Sequence, residues 1–282
     1  MRTLSLACLL ALTLAGCAEV QPQDDPFALS RPPDRPLPQA LSAEGTRIRV
    51  AIVVHQPSVR LSAPDAFILT GLSLEGTPEA DGTGKRLKDI ELTPRQIDGP
   101  RAVLTPQGQG EVEIDGKPYR GSIVILDNGD GTLTVVNDVD LEDYVMGVVA
   151  GEVPRNWPLE ALKAQALAAR TFAVLKREQA QQAGSPYDLE NSSLFQMYKG
   201  SGFLSDGIRQ AVQETQGEII TYGGRPIEAF FHSNCGGETC GAKSVWGQDK
   251  PYLKPVVCGF CRDGAHFRWT AEMAIPDLVR KL

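Results

Sequence analysis

The chain has 282 residues, enough for one large domain or two ordinary ones, each with a real core. It is 42% apolar and 22% charged, the composition of a globular protein, and its formal net charge is −7. No Lys/Arg cluster or basic stripe occurs, which argues against nucleic acid as a partner.

At the N-terminus, Arg2 precedes an apolar run from Leu4 to Leu14 that is too short to span a bilayer and has the layout of an export signal. The tetrapeptide LAGC that closes it resembles the lipobox of bacterial lipoproteins. That resemblance implies a leader of residues 1–16 and a lipid-modified Cys17 at the mature N-terminus. An ordinary secretory peptide with an incidental cysteine is the alternative. Ala18, where Asp would act as a retention signal, implies sorting to the outer membrane if the envelope is Gram-negative. Residues 17–44 are Pro-rich and polar ("DDP", "RPPDRP", "LPQ") and read as a tether.

From residue 45 to 136 the period is that of strands. "RIRVAIVV" alternates and then runs apolar, Asp115-Gly116 marks a turn, and "SIVILDNGDGTLTVV" reads as a hairpin around Asn128 to Gly131. This unit has no cluster of catalytic residue types. Helices are expected from Asp140, which can cap the first turn, with Glu142 and Asp143 adding favourable negative charge and Gly151 ending the element. A longer helix follows Pro158, with a seam of Leu159, Leu162, Ala166, Ala169 and Ala173 that implies close approach of another backbone. A third runs from a Ser205 cap to Gly217, and the hairpin "GEIITYGGRPIEAFFHSN" comes next. Strands, then helices, then strands indicate an α+β fold, with residues 137–282 forming a mixed helix and hairpin domain.

The stripe Leu141, Val145, Val148, Val149 on the first helix ends on a carboxylate, Glu152. Burial there disfavours the charged form, which suits a general acid. A helix-terminal Glu that turns outward or pairs with Arg155 is the competing reading.

The string "NDVDLEDYVMGVVAGEVPRNWPLEALKAQALAARTFAVLKR" resembles the SpoIID/LytB family, named for a stage II sporulation protein and an amidase enhancer. "FQMYKGSG", "AVQETQGEIITYGGRPIEAFFHSNCGGET" and "VWGQDKPYLKPV" continue the match in order. The resemblance is dense from Asn137 to Val257. It implies a peptidoglycan lytic transglycosylase that cuts MurNAc–GlcNAc bonds in peptide-stripped glycan strands, with Glu152 in the place of the family's acid/base. It also implies sugar contacts at Gln196 and Tyr198, for which polar residues flanking a turn are an equal reading. Gln165 and Arg170 could line the cleft or only pair with acidic neighbours. His232 and Ser233, read as ending an apolar strand beside a Gly-Gly turn, could face the cleft or be structural.

Cys235, Cys240, Cys258 and Cys261 form two pairs that could converge on zinc, with His232 and His266 as alternative ligands. Some relatives bind a Cys/His metal near the active site, whereas export favours two disulfides. Both options stay open, and either is a staple rather than the chemical centre. No cofactor is required for the chemistry.

Relatives commonly continue into a Gly-His-Gly-rich segment. If the chain is complete at Leu282 it would be expected to lack part of a cleft wall and to turn over poorly or not at all; if it is a fragment, the reading stands for the parent protein. A non-catalytic amidase enhancer, with a separate N-acetylmuramoyl-L-alanine amidase as partner, and a glycan-binding envelope lipoprotein are the rivals to the enzymatic reading.

Overall fold

The fold is organised around one long, mostly antiparallel sheet whose eighth strand delivers the chain directly into the helix that carries Glu152. The computed structural model describes residues 46–72, 85–106, 110–192 and 195–264, with 267, 268, 270, 272, 274, 275 and 280 beyond them. Cys17, the leader and the tether lie outside the described residues, as does His266.

The strands are β1 (Arg47–Gln56), β2 (Val59–Thr70), β3 (Lys85–Leu92), β4 (Arg101–Pro106), β5 (Val112–Ile114), β6 (Lys117–Tyr119), β7 (Ser122–Asp127), β8 (Leu133–Asp140) and β9 (Leu189–Glu190). They form a nine-stranded sheet of order β6-β5-β2-β4-β7-β8-β1-β9, with β3 on the other edge of β2. Every pairing is antiparallel except that of β1 with β9. Asp115 and Gly116, both at positive φ, make the tight turn between β5 and β6.

Four helices follow the strands: α1 (Leu141–Glu152), α2 (Leu159–Ala183), α3 (Asp206–Glu214) and α4 (Ala242–Trp246). A two-residue hairpin, β10 (Thr221–Tyr222) and β11 (Arg225–Pro226), turns on Gly223 and Gly224, both at positive φ. The α+β class expected from the element order is the one observed.

One core joins sheet and helices. Ile48, Leu61, Phe67, Leu104, Ile123, Ile125 and Val135 from the strands pack with Val145, Val148, Ala166, Ala169, Ala173 and Ile208 from the helices. Ala166, Ala169 and Ala173 of the α2 seam are fully buried in this core. β8 runs unbroken through residues 136 and 137, and β9, from the later part of the chain, closes onto β1. Among the described residues, no helix is long and apolar enough to cross a membrane.

Candidate active site

α1 is defined at both ends by local chemistry. Asp140 adopts an extended conformation and its side chain accepts from the Glu142 amide at 2.8 Å, so the first turn is capped. The helix runs one residue past Gly151, to Glu152, and ends where Val153 turns extended ahead of Pro154. Gly151 therefore has a different job from the expected one. A Cβ there would lie 2.2 Å from the Met197 carbonyl oxygen, and one on Gly147, a turn earlier, would lie 2.6 Å from the Gly200 oxygen and the Tyr198 ring. The two glycines make a backbone-thin face on which the segment 196–200 lies.

That contact holds the carboxylate. The Met197 amide donates to Glu152 Oε1 at 2.6 Å, and the Glu152 side chain is half-buried. Arg155, the alternative partner, instead stands over the Phe203 ring at 6.0 Å. Glu152 borders a cavity of about 290 Å³ whose other walls are Phe172, Phe195, Gln196, Ala229, Phe230 and Phe231. Among these described lining residues Glu152 is the single carboxylate, set in a mostly aromatic wall.

Gln196 belongs to this site. It is 2% exposed, its Oε1 accepts from the Tyr144 hydroxyl at 2.9 Å, and its Nε2 has no hydrogen-bond partner among the described residues. Tyr144 itself is buried on α1, and desolvation followed by the nearby Glu152 charge raises its phenol well above the ordinary range.

Three expected site residues are placed elsewhere, each for a physical reason. Arg170 is completely buried and cannot reach a ligand. Its Nε and Nη2 donate to the two Glu142 carboxylate oxygens at 2.9 and 2.6 Å, and Nη1 caps the Glu218 carbonyl at 3.2 Å. It ties α1 to α2 and to the segment after α3. Tyr198 is buried too: its hydroxyl donates to Asn137 Oδ1 at 2.8 Å and its ring packs on Tyr119 and Tyr144 at centroid distances of 5.7 and 5.0 Å. It wedges the 196–200 segment against the sheet rather than facing the cavity. Gln165 is buried on α2, with Nε2 unpartnered among the described residues, and it is not a cavity wall.

His232 and Ser233 are exposed just beyond Phe231 and do not line the cavity. The segment before them runs without strand pairing, which corrects the apolar strand expected there. Its Phe230 is held instead by stacking on Trp246 at 4.4 Å. The walls that sequence reasoning missed, Phe172, Phe195, Phe230 and Phe231, had one usable signal. It is the position of Phe172 on α2, seven residues after Gln165 and on the same side, although Gln165 itself lies off the cavity, so the signal is indirect.

The late cysteines divide three to one. The sulfurs of Cys235, Cys258 and Cys261 all lie within 4.8 Å of one another, with Cys235–Cys261 at 3.3 Å and Cys258–Cys261 at 3.8 Å. Cys240 is exposed and outside the group, so the four-cysteine set narrows to three. The Phe260 amide, with the neighbouring thiols, holds the Cys258 thiol below its ordinary range. Three soft donors around a common point suit zinc, whose thiolate bonds are about 2.3 Å long.

Residues 129–222 match the family model described as stage II sporulation protein, SpoIID. An uncharacterized protein of Brachyspira hyodysenteriae is 40% identical over 173 residues, covering 60% of this chain and 45% of its own length. Stage II sporulation protein D of Bacillus subtilis is 37% identical over 160 residues, covering 52% of this chain and 47% of its own. The amidase enhancer of the same organism is 34% identical over 143 residues, covering 50% of this chain and 19% of its own. The chain thus spans less than half the length of each of these relatives.

Proposed function

On the premise that this chain belongs to the SpoIID/LytB family, we propose that it is a lytic transglycosylase acting on peptide-stripped peptidoglycan glycan strands. The observation that carries this reading is Glu152, the one carboxylate among the described lining residues, held at one oxygen by a backbone amide beside a cavity lined by four phenylalanines. Hydrolytic glycosidases use two carboxyl groups, one as acid and one as base or nucleophile. A lytic enzyme needs only one, because the attacking group is the sugar's own C6 hydroxyl and proximity replaces the second side chain.

With Oε1 fixed by Met197, Oε2 is the oxygen that handles the proton. It donates that proton to the glycosidic oxygen between MurNAc and GlcNAc as the bond breaks. The carboxylate so formed then takes the proton of the C6 hydroxyl as it attacks the anomeric carbon, closing a 1,6-anhydro ring. Glu152 ends the cycle protonated, ready for the next bond, and no water is consumed.

The amidase enhancer among the relatives supports a second reading, stimulation of a separate N-acetylmuramoyl-L-alanine amidase. One digest separates the two. Wild type should release 1,6-anhydro ends from peptide-free strands, seen by mass spectrometry, and Glu152→Gln should not. If Glu152→Gln matches wild type, or neither yields anhydro ends, the enzymatic reading falls. Added amidase would then show whether enhancement remains.

Around this chemistry we place a zinc ion on Cys235, Cys258 and Cys261, where it would staple the irregular segment beside Phe230 and Phe231 and take no part in sugar cleavage. The N-terminal motif supports export and a lipid on Cys17, anchoring the protein in the cell envelope, in the outer membrane of a Gram-negative cell. Mass spectrometry of the mature N-terminus tests that placement; a first residue other than Cys17 would overturn it.

A further inference from the structure

Within the transglycosylase reading, on which this step rests, we propose that Gln196 reads the N-acetyl group of the bound sugar, so that the site requires acetylated glycan and rejects N-deacetylated glycan. A buried amide N–H without a partner is costly and calls for a completing group; Gln165 Nε2 is a second one, but only Gln196 borders the cavity. Gln196 is such a group, and the constraint on its orientation is visible. The Tyr144 hydroxyl donates to Oε1 and so occupies the acceptor side of the amide. The two prongs of a primary amide diverge by about 120°, so the NH₂ side is presented away from Tyr144 and has no acceptor among the described residues. Gln196 borders the cavity, and the next residue in the chain supplies the amide that holds Glu152.

The rest of the wall identifies what the donor is for. The lining combines four phenylalanines and Ala229 with the unpartnered NH₂ group of Gln196, and Glu152 supplies the proton-handling carboxyl. An acetamido group matches this inventory: its carbonyl oxygen accepts from Gln196 Nε2 and its methyl packs on aromatic surface. A deacetylated sugar carries an ammonium at the same carbon. It offers Gln196 no acceptor and attracts Glu152 in its ionised form, which is the wrong state for an acid. A site built around a hydrogen-bond donor discriminates strongly against an analogue that lacks the acceptor.

The test uses the full chain with chemically N-acetylated and N-deacetylated samples of the same peptide-free glycan strands, and measures both binding and anhydro-end release. Wild type should bind and cleave acetylated strands at least about tenfold better than deacetylated ones. Gln196→Met keeps the side-chain length without the donor and should reduce that preference at least about fivefold. Tyr144→Phe frees Oε1 and should blur the preference as well, through positioning, while leaving Gln196 in place. Circular dichroism on both variants guards against loss of fold; if Gln196→Met does not fold, Tyr144→Phe carries the test. Equal handling of both strands by folded wild type, or an undiminished preference in the folded variants, overturns this inference and leaves the transglycosylase reading standing. Absence of anhydro ends from either strand would instead count against the transglycosylase reading itself.

Discussion

Gly151→Ala is the sharpest probe of how Glu152 is held. The added Cβ would sit 2.2 Å from the Met197 oxygen, and real Cβ atoms essentially never come closer than 3.0 Å, so the 197 segment must retreat by at least the 0.8 Å difference. The same peptide segment donates the 2.6 Å hydrogen bond from Met197 N to Glu152 Oε1. A retreat of that size stretches the bond toward 3.4 Å, near the limit of a useful interaction. Helix propensity pulls the other way, since Ala is better than Gly by about 0.8–1.0 kcal/mol, against an overpacking cost of about 1–3 kcal/mol. The expected result is a small net loss of stability with a disproportionate fall in anhydro-end release. Misplacing a catalytic group by about 1 Å can cost on the order of a hundredfold in rate. The matched control is Gly207→Ala in α3, whose Cβ would meet only the flexible Leu162 Cδ1 at 3.4 Å. It should leave both stability and cleavage near wild type or slightly improve the former. Assayed as initial rates on peptide-free strands alongside urea midpoints, a Gly151→Ala enzyme at wild-type rate would refute the claim that this close contact positions the acid.

The remaining expectations concern what surrounds the site. Arg170→Met strands the Glu142 carboxylate in the core and should cost about 3–5 kcal/mol in urea unfolding, while the double variant Arg170→Met with Glu142→Leu recovers much of it. If zinc sits on the three-sulfur cluster, Cys235→Ser should abolish bound zinc measured by plasma emission and Cys240→Ser should not, because Cys240 stands outside the group. Desolvation, with Asp115 adding to it, pushes the Tyr119 phenol up to about 12 from an ordinary 10.0. An acid whose folded pKa is raised favours the fold below its unfolded value, so this contribution persists up to about pH 10 and is lost between about pH 10 and 12. Thermal melts of Tyr119→Phe should therefore decline less steeply than wild type across that alkaline window.

What could be seen in the sequence and what could not divides along the range of the interaction. Caps and tight turns depend on residues a few positions apart, so Asp140, Ser205, the Asp115-Gly116 turn and the Gly223-Gly224 turn are legible from the chain alone. The roles of polar residues were not, because a buried polar group announces only that it needs a partner. Arg170 finds Glu142 28 residues away, and Tyr198 finds Asn137 61 residues away. Both had the composition of ligand-binding groups and both were consumed by the scaffold. The difference between them and Gln196 is one of valence. Arg170 donates to Glu142 and to the Glu218 carbonyl, and Tyr198 spends its single hydroxyl proton on Asn137, whereas the Gln196 amide has one side satisfied and one side open. Residue type and spacing cannot reveal that remainder, since it exists only after every other pairing has been made.

The same logic explains why α1 can carry an acid at its end. Its stripe of Leu141, Val145, Val148 and Val149 is buried almost completely, so the helix has no freedom to roll, and Gly147 and Gly151 let a second backbone close over its free face. The Glu142–Arg170 pair fixes its first turn, and the Met197 amide fixes the side chain in its last. Under the proposed chemistry, a carboxyl so constrained would lose little further freedom on binding sugar, which favours one group serving as acid and base in turn. On the proposed transglycosylase reading, this rigidity serves proton transfer at a single oxygen, whereas glycan binding alone rewards contact area. Activity should therefore track the Met197–Glu152 contact more closely than it tracks overall affinity for the strand.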